Sequence, residues 1–184
     1  MSNQPVDQSR RTWVTIACIA GGAGGVATAV PFVSTFQPSE RARAAGAAVE
    51  ADISALKPGE MMTVEWRGKP VWIVRRTPEQ LAALDKIANE LVDPKSERKP
   101  SELTPEYARN VHRSIKPEYL IAVGICTHLG CSPSSKFQAG PQASLPDNWP
   151  GGFLCPCHGS TFDLAGRVFK NKPAPDNLEI PPHM

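Results

Sequence analysis

Two short segments constrain this chain most: Cys126-Thr127-His128-Leu129-Gly130-Cys131 and Cys155-Pro156-Cys157-His158-Gly159-Ser160. Each sets a Cys and a His close together and carries a second Cys. A fold that uses both must bring two loops, far apart in sequence, into one geometry. Two thiolates and two imidazoles form a ligand set for a soft metal centre. One candidate is zinc, although C-x-H is tighter than a zinc knuckle and leaves two cysteines over. The other is a [2Fe–2S] cluster in which two His replace two Cys on one iron.

The paired boxes resemble those of the Rieske iron–sulfur family, in its disulfide-bearing branch. The resemblance implies one [2Fe–2S] cluster held by Cys126, His128, Cys155 and His158, with both thiolates on one iron and both imidazoles on the other. It implies a disulfide between Cys131 and Cys157 that ties the cluster loops together. His128 and His158 become the residues that meet the substrate. Ser160 matches the family serine whose hydroxyl donates to a bridging sulfide and raises the potential. Phe162 departs from the pattern, since many members carry a Tyr there that donates to a ligand sulfur. The implied cluster is therefore less oxidising than in a Tyr-bearing relative. Lys172-Pro173-Ala174-Pro175 resembles the proline loop that covers the cluster, and Leu129 the apolar residue that docks at the quinol site.

Elsewhere the pattern is that of a mostly antiparallel β domain with one helix and a small cluster-binding lobe. Met62, Val64 and Trp66 alternate with polar residues, Arg67-Gly68-Lys69-Pro70 reads as a turn, and Val71–Val74 as the return strand. Thr77-Pro78-Glu79-Gln80 predicts a capped helix start, with Leu81, Leu84, Ile87 and Leu91 as its apolar face. Asp93–Ser101 reads as a charged loop. Tyr119–Val123 predicts a buried strand leading into Cys126. Leu164–Arg167 predicts a turn into a further strand, and Phe153-Leu154 and Leu178-Glu179-Ile180 two more.

The N-terminal region has a different character. Ser9-Arg10-Arg11-Thr12-Trp13 resembles a twin-arginine export motif, and Trp13–Val33 carries no charge. As a helix that run spans roughly 31 Å, the thickness of a bilayer's hydrocarbon. The expected organisation is a polar cytoplasmic tail over 1–12, an uncleaved transmembrane anchor over 13–35, a flexible Ala-rich hinge over 36–49 and a periplasmic head over 50–184. A net charge of +2 invites no nucleic-acid partner.

Anchor, hinge and disulfide-bearing head together resemble the iron–sulfur subunit of a bacterial quinol–cytochrome c oxidoreductase. That resemblance implies quinol as reductant, cytochrome b and cytochrome c1 as partners in a dimeric inner-membrane complex, and a share in proton translocation. The alternative is the Rieske subunit of an exported molybdenum oxidase such as arsenite oxidase, against which the anchor and hinge argue. A soluble Rieske ferredoxin lacks both the extra cysteine pair and an anchor.

Overall fold

A computed structural model describes residues 7–98 and 103–184. The end of the expected 93–101 loop and the first six residues of the expected tail lie outside these. The chain divides into two compact units, Met1–Gly46 and Ala47–Met184.

In the first unit, helix α1 runs Gln8–Ser34. It begins five residues before the uncharged stretch because the Asp7 carboxylate accepts hydrogen bonds from the Ser9 and Arg10 N–H groups. A carboxylate at this position satisfies otherwise orphaned donors and favours the positive end of the helix dipole. Arg10 and Arg11 are thus helical, where the sequence places them in a polar tail. No α1 side chain is buried. The helix is long and apolar enough to cross a membrane. Within the expected hinge, Glu40–Ala45 forms a short helix, α2, capped by the Ser39 hydroxyl and braced by an exposed Glu40–Arg43 ion pair. Ala and Arg propensities with a good cap are enough for one turn, but so short a helix gains little without packing.

The second unit begins with a three-stranded antiparallel sheet, β1 (Met61–Trp66), β2 (Lys69–Arg75) and β3 (Tyr119–Val123), with β2 in the centre. The β1–β2 register pairs Met62 with Ile73 and Val64 with Val71 across the Arg67-Gly68 turn. Between β2 and β3, helix α3 (Pro78–Lys86) starts with the expected capping box. It stops sooner than its apolar pattern suggests. Ile87 leaves the helical region, a 3₁₀ turn follows over Ala88–Glu90, and Leu91 is buried through a β-bridge to Phe169 instead.

A second antiparallel sheet, β4 (Ser134–Lys136), β5 (Gly152–Leu154) and β6 (Thr161–Asp163), builds the small lobe. Two expected strands do not form. Beyond Asp163 the chain turns and, among the described residues, makes only isolated bridges, Phe162 to Val168 and Leu91 to Phe169. Leu178–Ile180 has no regular structure, and its backbone bonds go to different partners: Leu178 donates to Gly166 O, Val123 donates to Glu179 O, and Ile180 donates to Leu103 O. Without one continuous neighbour there is no ladder.

One core joins sheet and lobe. Trp72 of β2 stacks on Phe153 of β5, with ring centroids 4.8 Å apart, and Val74, Leu120, Phe162, Leu178, Cys126 and Cys155 belong to the same buried cluster. The irregular segments around it need donors for their carbonyls, and buried arginines supply them. Arg113 donates to the carbonyls of Ala165, Gly166 and Leu178 and to Thr104 Oγ1. Arg76 does the same for His112, Pro117, Tyr119 and Leu164. Arg167 forms a buried 2.7 Å pair with Asp163. Burial pushes Arg113 down to about 9 and Arg76 down to about 10, so both remain charged at neutral pH.

Candidate metal centre

The two boxes fold into the same backbone turn. In the first, the Cys126 N–H donates to Cys131 O at 2.8 Å, and the Gly130 N–H returns to Cys126 O at 3.0 Å. In the second, the Cys155 N–H donates to Ser160 O at 2.7 Å, and the Gly159 N–H to Cys155 O at 3.0 Å. Both turns close through a glycine with left-handed backbone, φ +81° at Gly130 and +75° at Gly159, a region costly for other residues. β3 delivers the first turn, and the β5–β6 connection is the second.

The side chains then sort by depth. Cys126 and Cys155 are free thiols, each 2% exposed, at the inner side. The imidazoles of His128 and His158 lie nearer the surface, edge to face, with centroids 4.8 Å apart. Cys131 and Cys157 are joined by a disulfide across the two turns. The sulfurs of Cys131, Cys155 and Cys157 lie within 4.8 Å of one another. That trio is not a ligand set, because two of its sulfurs are spent in the disulfide.

Burial pushes the Cys126 thiol up, an effect the neighbouring Cys155 adds to, while the His128 N–H and the Ser160 hydroxyl oppose it. Two adjacent buried thiolates without a counter-charge would repel each other and be poorly solvated. A soft cation supplies what they lack. The donor set, two buried sulfurs and two more exposed imidazoles on matching turns, fits a [2Fe–2S] cluster of mixed ligation.

Ser160 is fully buried, and its Oγ accepts from the Ala174 N–H at 3.0 Å. Its own proton remains available on the sulfur side. Phe162 is also fully buried, in the core cluster that holds Cys126 and Cys155. Pro173 is exposed in the segment beside the turns. That segment is tied to both boxes, since Thr127 Oγ1 donates to Asp176 O at 2.6 Å and Ser160 receives Ala174. Arg98 adds a third tie by donating to Pro175 O at 2.8 Å. Leu129 is 72% exposed, an apolar side chain standing at the tip beside His128. Thr127, Arg98 and the buried arginines carried no sequence signal, because their roles consist of bonds to distant backbone carbonyls.

Residues 95–182 match the model of the Rieske [2Fe–2S] domain. The chain is 58% identical, over its whole length and 87% of the relative, to the ubiquinol–cytochrome c reductase iron–sulfur subunit of Allochromatium vinosum. It is 40% identical, over 96% of the chain and 87% of the relative, to the subunit of that name in Rhodospirillum rubrum. A chain of a hyperthermophilic respiratory complex III aligns over 93% of this chain and 92% of its own length, with a TM-score of 0.48 and 26% identity. With relatives matched over nearly all of this chain and 87% of their own length, and the paired turns in place, the chain belongs to the family of ubiquinol–cytochrome c reductase iron–sulfur subunits, built on the Rieske [2Fe–2S] domain.

Proposed function

We propose that this chain is the electron-transferring iron–sulfur subunit of a bacterial quinol–cytochrome c oxidoreductase. The observation that carries the reading is the meeting of two buried free thiols and two outer imidazoles on matching, disulfide-linked turns. It occurs in a chain related along its whole length to subunits bearing that name. Cys126 and Cys155 would hold one iron of the cluster and His128 and His158 the other. When bound, the cluster supplies one-electron transfer from a quinol to a c-type haem, contributing to proton translocation.

The chain's own residues set up that transfer. One of the outer imidazoles, His128 or His158, accepts the hydrogen bond and the proton of a quinol hydroxyl. Leu129 gives the tip an apolar contact for the partner surface. Ser160 donates its hydroxyl proton toward the sulfurs, which favours the more negative reduced state. The 172–176 segment, tied to both turns, keeps water off one side of the centre. Phe162, buried in the same core cluster as Cys126 and Cys155, cannot donate, which holds the potential below that of a Tyr-bearing relative.

The remaining assignments follow the same reading. α1 anchors the chain in the cell membrane with its N-terminus cytoplasmic, after export through the twin-arginine motif at Arg10-Arg11. The Ala-rich stretch after it acts as a hinge that lets the periplasmic head alternate between cytochrome b and cytochrome c1 in a dimeric complex. The molybdenum-oxidase alternative gains nothing from the full-length relatives. The test is purification of the membrane complex, with haem analysis and an EPR spectrum after reduction. Co-purifying b- and c-type haems with a Rieske signal are expected, and molybdenum without b-type haem overturns the assignment.

A further inference from the structure

The Cys131–Cys157 disulfide lies against a third sulfur. Cys155 Sγ is free, and it sits within 4.8 Å of both sulfurs of the bridge. A thiol in that position is placed to attack a disulfide. We propose that Cys155 is an intramolecular thiol–disulfide exchange partner of the Cys131–Cys157 bridge, and that iron bound to Cys155 holds the exchange off. The inference rests on the reading of Cys155 as a cluster ligand.

The exchange conserves atoms and electrons. Cys155 Sγ bonds to Cys131 Sγ, the Cys131–Cys157 bond breaks, and the proton leaving Cys155 ends on Cys157. One disulfide and one thiol become another disulfide and another thiol, with no external oxidant or reductant. Cys131 is the favoured target. A bridge from Cys155 to Cys157 must close over the single residue Pro156, whose ring fixes its backbone. A bridge from Cys155 to Cys131 instead joins the same two turns as before.

That choice makes the product persistent. The present bridge spans a sequence separation of 26. Moving its second end two residues along leaves the loop nearly as long, and loop-closure entropy changes only with the logarithm of length. The turns stay linked, so the lobe does not need to open. The metal site nevertheless loses one of its two thiolates. Cys157, exposed in the fold, becomes the free thiol. Cluster loss under oxidising conditions would then lock the site against reloading while the domain remains folded.

The experiment uses the full chain in detergent under anaerobic conditions. One portion stays loaded and another is stripped with an iron chelator. Both are quenched with N-ethylmaleimide and mapped by peptide mass spectrometry, with an added cysteine-containing peptide as the standard for alkylation. In loaded protein, Cys155 is expected unmodified and the Cys131–Cys157 bridge intact. In stripped protein, a Cys131–Cys155 bridge and an alkylated Cys157 are expected. Stripped protein that keeps Cys131–Cys157, with Cys126 and Cys155 both alkylated, overturns the exchange and leaves the ligand reading standing. Loaded protein in which Cys155 is already alkylated overturns the ligand reading itself. As a second arm, Cys155→Ser should keep the original bridge throughout, and a rearranged bridge in that variant rules out Cys155 as the attacking group.

Discussion

The two cluster turns share a backbone and differ in what they hang on it. Both run from a buried Cys through a left-handed Gly to a closing residue, with the same pair of hydrogen bonds. In the first turn the second residue after the Cys is His128, and in the second it is Cys157. The third is Leu129 in one and His158 in the other. The closing position is Cys131 in the first and Ser160 in the second. The disulfide therefore joins the closing position of one turn to the outer arm of the other. The second turn keeps a hydroxyl where the first has a sulfur. One scaffold used twice thus yields equivalent inner thiols but an unequal rim, with an exposed leucine on one side only.

The comparison is broken most severely at the imidazoles. His128→Ala and His158→Ala should each abolish the cluster, since an iron with a missing ligand opens to water. Iron content and EPR of the reduced protein test this, and a full Rieske signal in either variant rejects the assignment. A smaller effect is expected at the disulfide. Cys131→Ser or Cys157→Ser should leave the cluster assembled but labile, with the domain less stable by about 3 kcal/mol from lost loop restraint. Denaturant titration of the loaded protein measures it, and failure of either variant to assemble would give the bridge a role in loading.

The shared backbone is probed more gently at its glycines. A Cβ at Gly130 or Gly159 meets no atom within 4 Å. Alanine there should therefore cost only the left-handed backbone, on the order of 1–2 kcal/mol, and equally in both turns. A much larger loss at one of them would show that the turns are not equivalent under strain. The smallest effects lie in tuning. Ser160→Ala should lower the midpoint potential and Phe162→Tyr should raise it, each by tens of millivolts, because about 1.4 kcal/mol of preference for the reduced state corresponds to about 60 mV for one electron. Redox titration followed by EPR decides. An unchanged midpoint in Phe162→Tyr, with the new hydroxyl ordered beside a ligand sulfur, removes that argument.

Much of this protein was legible from local pattern. The paired boxes announced the centre, since few chemistries need that residue set. The Thr77 capping box, the β1–β2 hairpin and strand β3 each follow from interactions within a few residues, so their signals lie in contiguous sequence. The uncharged run foretold α1, though not the five-residue extension that Asp7 provides. The signal failed where an element depends on a distant neighbour. Ser134–Lys136 is a strand only because β5 lies alongside it, and its own residues have no apolar alternation. Leu178–Ile180 has strand composition but no single partner to pair with.

The sequence by itself determined which residues offer soft donor atoms, which can turn tightly and which segments are able to form helix or strand. These are properties of side chains and short stretches of backbone. Only the tertiary structure decided that the two turns superpose in pattern, that thiols lie inside and imidazoles outside, that Ser160 and Thr127 tie down the 172–176 segment, and that Cys155 rests against the disulfide. Those relations join residues tens of positions apart. They arise from packing Trp72, Phe153 and Phe162 into one core, and no local periodicity encodes them.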